Sequence, residues 1–149
     1  MAELQIEAVR DNLKTVFDFV TDQLKRSTDD KKLIRQMKLC VEEIFLNISS
    51  YAYHPDVGCT RIVVRIEGDP VPIRVFMTFA DSGHPFDPLS EEAPDTESEL
   101  DERKVGGLGI FLVRNTVDGI SYEYTGGQNV LTIIKNLQGD GANEMTGAK

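Results

Sequence analysis

Residues Val41–Tyr53 read VEEIFLNISSYAY. Its apolar residues continue a helical stripe of Ile34, Met37, Val41, Ile44, Phe45, Ile48 and Ala52, which predicts a helix over about Lys32–Tyr53. Beside the stripe, Glu43 and Asn47 stand one turn apart and project the same way. On spacing alone, a solvated helix face accounts for the pair. Asn47 resists that account, because asparagine is only a modest helix former and here borders the apolar stripe, with Ser50 extending the polar line. The alternative is a neutral oxygen for magnesium, which prefers oxygen ligands, with a carboxylate nearby to take a proton.

Outward from this helix the pattern is that of one domain. Leu4–Val9 alternates as a half-buried strand does, and Asp11 or Asn12 is placed to cap a helix carrying Leu13, Val16, Phe17, Val20 and Leu24. Ser27–Asp30 supplies a turn and the next cap, and His54-Pro55 ends the long helix. Thr60–Gly68 and Val71–Asp81 predict two strands joined through Gly68-Asp69-Pro70. Ser82–Val105 has no periodicity, three prolines and an acidic run, the mark of a functional lid or a disordered loop. A helix then opens on Gly106, Gly107 and Gly109, and a hairpin around Gly126-Gly127 closes the domain at about Leu137. The tail 138–149 is expected to be disordered.

Composition narrows the function. A chain of 149 residues with net charge −9 repels nucleic acid phosphate, so direct nucleic-acid binding is disfavoured. No apolar run reaches membrane-spanning length, and the N-terminus lacks the pattern of a signal peptide. Cys40 and Cys59 make neither a disulfide framework nor a metal knuckle, so a reduced, cytoplasmic protein is expected.

Two further motifs carry chemistry. Gly106, Gly107 and Gly109 put bare backbone amides at a helix start, which suits a phosphate. They match neither the dinucleotide fingerprint nor a P-loop, and a structural turn explains them about as well. Asp81, at a strand end before Ser82-Gly83, can accept a hydrogen bond from an exocyclic amine, although taken alone an Asx-turn is the better account.

The order of these motifs is more specific than any of them. A helix with Glu and Asn, a strand ending in Asp-x-Gly, a long loop and Gly-Gly-x-Gly before a helix together resemble the GHKL ATPase superfamily. EEIFLNISSYAY, DSGHPFDP and GGLGIFLVRNTVD are similar to the boxes of the bacterial anti-sigma factor serine/threonine kinases within it. The resemblance implies an α+β fold, a two-layer α/β sandwich of the GHKL (Bergerat) ATPase type, with a mixed, mostly antiparallel sheet and helices on one face. It implies ATP and magnesium as ligands, with Asn47 on the metal and Glu43 as the catalytic carboxylate. Asp81 would hold the adenine amine and Gly83 shape its pocket, with Thr132 as a weaker adenine-side candidate. Gly106, Gly107 and Gly109 would line the phosphates, Leu108 would pack behind them, and Arg103 and Lys104 would reach phosphate oxygens.

By the same resemblance the chain phosphorylates a serine of an anti-anti-sigma (STAS-type) protein, holds a sigma factor in the alternate state, and forms a homodimer. The alternative is an ATP-binding partner-switch module without kinase turnover. The first glycine box departs from the commonest pattern, with His84-Pro85 after Gly83. His84 and His54 therefore read as loop and helix-end residues, not as general bases.

Overall fold

The computed structural model describes residues 1–68, 71–90 and 109–137. In chain order these form β1 (Ala2–Glu7), α1 (Leu13–Lys25), α2 (Lys31–Asn47), β2 (Cys59–Gly68), β3 (Pro72–Asp81), α3 (Gly109–Thr116), β4 (Gly119–Thr125) and β5 (Gln128–Asn136). The strands make one sheet in the order β1-β2-β3-β5-β4. Each pairing among the described residues is antiparallel, so the sheet is more uniform than the mixed arrangement expected.

Strand alternation sends one face of the sheet inward. Ile62 and Val64 of β2, Val75, Met77 and Phe79 of β3, and Leu131 and Ile133 of β5 are buried together with Val16, Val20 and Leu24 of α1 and the apolar stripe of α2. The result is the expected two-layer α+β fold with its helices on one face. On the other face Phe76 is flanked by the guanidinium groups of Arg65 and Arg74, at 4.1 and 5.3 Å from the ring centre.

The helix ends show which local signals operate. Asp30 caps α2, its Oδ1 accepting from the Leu33 amide at 3.1 Å. Asn12 precedes α1 without capping it; its Nδ2 donates backward to the Glu7 carbonyl at 2.9 Å. After Asn47 the long helix continues to Ala52, but as a wider π-helical turn over Ile48–Ala52. The Ala52 carbonyl then accepts from the His84 amide at 2.8 Å, which ties the end of this helix to the chain leaving β3. At the β4–β5 turn, Gly126 and Gly127 have φ of 62° and 78°, the left-handed pair that a tight hairpin requires.

Both cysteines are free. Burial pushes the Cys40 thiol up to about 11, so it packs as an unreactive core residue. Among the described residues, no helix is long and apolar enough to cross a membrane.

Candidate functional site

A partly open cavity, about 490 Å³ of empty space when its open mouth is counted, lies between the C-terminal half of α2, the ends of β3 and β5, and the start of α3. Its walls are mainly apolar: Ile44 and Ile48 from the long helix, Phe79 and Leu131 from the sheet, and Ile110 from α3. Half-exposed Tyr51 and Phe86 stand at its rim. Such walls suit a flat aromatic ring, and the polar groups among them fix its orientation.

Asp81 is one of those groups. It ends β3 at 5% exposure, and its Oδ1 accepts from the Gly83 amide and from Asn129 Nδ2, both at 2.9 Å. The Asx-turn that the sequence allowed is therefore present, and it uses only one carboxylate oxygen. Among the described residues Oδ2 accepts no hydrogen bond. Gly83 is required for a close approach, since a Cβ there would collide with the Ala52 carbonyl oxygen. Tyr53 braces the same turn, its hydroxyl accepting from the Ser82 amide at 2.8 Å and donating to the Cys59 carbonyl at 2.6 Å. The His84 ring nitrogen lies 3.2 Å from the His54 carbonyl, so the two histidines meet as turn residues.

Asn47 lines the cavity from α2, and its Oδ1 is buried with no hydrogen-bond partner among the described residues. An orphaned carbonyl oxygen is costly, and a cation or polar ligand relieves it. The donor type is what magnesium takes, so the residue fits that ion. One turn earlier, Glu43 lies against the start of α3, where a Cβ on Gly109 would strike its Oε1. Glu43 and the last glycine of the Gly-Gly-x-Gly run are thus brought together, although Glu43 is not part of the cavity wall. Burial first, and the charge of Glu42 second, push its carboxyl above the ordinary glutamate value.

Thr132 is not brought to the cavity. Alternation along β5 turns Asn129 and Leu131 inward and Thr132 outward, where its hydroxyl pairs with that of Thr78 at 3.2 Å. The residue that meets Asp81 from β5 is Asn129, directly opposite it in the strand register. The sequence held a signal for this, since Asn129, Leu131 and Ile133 share one parity and the latter two are apolar. Arg103, Lys104, Gly106, Gly107 and Leu108 lie outside the described residues, as do most of the acidic loop and the tail.

The helix with its Glu–Asn pair, the strand-end aspartate and the glycine-led helix all converge on one cavity. A family model for the histidine kinase-like ATPase domain matches residues 6–135. The chain belongs to that family. It is also similar to the serine/threonine-protein kinase BtrW of Bordetella bronchiseptica, at 30% identity over 101 residues that cover 67% of this chain and 68% of that protein. The three boxes therefore lie in a GHKL-type ATPase domain, and membership supports an ATP-binding, kinase-like role.

Proposed function

We propose that the protein is a serine kinase of a partner switch. It binds ATP with magnesium in the cavity, transfers the γ-phosphate to a serine of a small anti-anti-sigma (STAS-type) protein, and in the alternate state holds a sigma factor. The observation that carries this reading is that one cavity is lined both by Asn47, whose Oδ1 is buried with no partner among the described residues, and by Asp81, whose Oδ2 accepts no hydrogen bond among them. A ligand with an amine at one end and metal-bound phosphates at the other answers both.

In this reading the adenine ring enters between the apolar walls, and Asp81 Oδ2 accepts from its exocyclic amine. Asn47 gives its amide oxygen to magnesium, which when bound offsets charge on the phosphate oxygens. Gly106, Gly107 and Gly109 offer backbone amides to the phosphates, with Leu108 packed behind them and Arg103 and Lys104 added from the lid's end. Glu43 receives the proton of the attacking serine hydroxyl as the oxygen bonds to the γ-phosphorus and the bridging bond to ADP breaks. Its raised basicity favours that role. The protein acts in the cytoplasm as a homodimer.

The test is calorimetric titration with ATP and magnesium on the wild type and Asn47→Ala. The wild type binds, and the variant binds at least about tenfold more weakly or loses its dependence on magnesium. No binding by a folded wild type would overturn the nucleotide reading. Radiolabelled transfer to a purified STAS-type partner then separates a kinase from a switch that binds without turnover.

A further inference from the structure

Asn129 is 7% exposed and uses every hydrogen-bonding position of its amide. Nδ2 donates to Asp81 Oδ1 at 2.9 Å and to the His84 carbonyl at 2.8 Å. Its Oδ1 accepts from the Phe86 amide at 3.1 Å and from the Tyr122 hydroxyl. One side chain thus joins the end of β3, the loop that forms the cavity rim, and the neighbouring strand β4.

The consequence falls on Asp81. With Oδ1 held by two donors, the carboxylate cannot turn, and the oxygen left for a ligand is Oδ2. With both amide hydrogens committed, Asn129 has no donor to spare for a ligand, and Asp81 Oδ2 beside it can only accept. We infer that Asn129 is a positioning and selectivity residue: by locking Asp81 it makes the pocket accept a purine bearing a 6-amino group and reject one bearing a 6-oxo group. The inference rests on the nucleotide reading above and assigns the base selectivity to a residue outside the three boxes. An oxo group facing Oδ2 would set acceptor against acceptor and leave that oxygen without a donor.

Asn129→Asp is nearly isosteric and tests the donor. It sets a second carboxylate against Asp81 Oδ1 and the His84 carbonyl, so the arrangement survives only while the two acids share a proton. The other titratable neighbours are Tyr122 on β4, Asp87 beyond the rim, the His84 ring in the rim loop and Tyr53 behind the turn. Burial pushes both tyrosine hydroxyls up, so they keep their protons through neutral pH.

The measurement is the Kd for ATP and for inosine triphosphate, whose purine is 6-oxo, from pH 5.5 to 8 (roughly the range over which such a shared proton is lost). Variant-to-wild-type ratios cancel the titration of the nucleotide itself. The wild type prefers ATP by roughly a hundred-fold or more. Asn129→Asp stays within a fewfold of wild type at the acid end and weakens as pH rises, by up to about tenfold per pH unit for one linked proton. Melting curves at each pH monitor the fold. A folded variant with wild-type affinity and a flat ratio would overturn the inference while leaving the nucleotide reading intact; failure of the wild type to bind ATP would overturn that reading instead. Should Asn129→Asp unfold, Asn129→Val decides: a reduced preference for ATP supports the role, and an unchanged preference in a folded protein overturns it.

Discussion

Beside Asp81 the amide of Asn129 has four partners, whereas the amide oxygen of Asn47 is buried with none among the described residues. Two glycines repeat the contrast. Gly83 is pressed against a backbone carbonyl, that of Ala52, and Gly109 against the tip of a side chain, that of Glu43. The hydrogen bonds around Asp81 and Asn129 are completed by folding. The surroundings of Glu43 and Asn47 are left polar and adaptable, as a surface that must meet a charged ligand and release it needs to be. The comparison can be broken at either end.

The largest effect is expected beside Asp81. In Gly83→Ala the new methyl meets the Ala52 carbonyl, which the His84 amide also holds. Relief requires moving either the π-helical turn or the end of β3. Stability falls by about 1–3 kcal/mol in denaturant titration, as for an overpacked core. Adenine nucleotide binding falls with it, because Asp81 moves with the turn. Unchanged stability would show that this end is as adaptable as the other.

Gly109→Ala at the opposite end separates function from fold. The colliding Glu43 oxygen is the far end of a flexible side chain and can swing aside. Stability stays within about 1 kcal/mol of wild type, since alanine is the better helix former. The proposed phosphate transfer drops on the order of 10²-fold, the effect of misplacing a reacting group by an ångström or so. A variant that transfers at the wild-type rate would remove Glu43 from the chemistry.

How much of this was legible in the sequence follows from how local each feature is. The apolar stripe of α2, the Asp30 cap and the Gly126-Gly127 turn depend on neighbours within a turn or two, and they are where the sequence placed them. Asp81 was legible as the last residue of a strand. Asn129 was not singled out, because its role depends on a register between β3 and β5, strands far apart in the chain. Thr132 was the weaker adenine-side candidate on that strand, and the inward parity of Leu131 and Ile133 turns it away from the cavity. The Asn12 side chain, placed by the sequence to cap α1, reaches back to the nearby Glu7 carbonyl instead. The π-helical turn has no sequence signature we can name.

The smallest effect is expected from the Glu43 charge. The Glu43 carboxyl is pushed above the ordinary glutamate value, mainly by burial and further by Glu42. In the unfolded chain it titrates normally, so folding favours its protonated form. The stability this supplies is fully present below the ordinary glutamate range and is lost as pH rises through the higher folded value. At neutral pH the ionised carboxylate therefore works against the apo fold. Glu43→Gln should be more stable than wild type at pH 7, by under about 1 kcal/mol because solvent screens a partly exposed group. The advantage should vanish below about pH 4, where both side chains are neutral. Thermal unfolding at the two pH values reads the difference. A variant less stable than wild type at pH 7 would mean that the carboxylate is held by partners in the apo protein, and then the Glu43–Asn47 end would be completed by folding after all. The expected gain means the opposite: among the described residues nothing compensates the Glu43 charge or pairs the Asn47 amide oxygen, and a bound cation would supply what both lack.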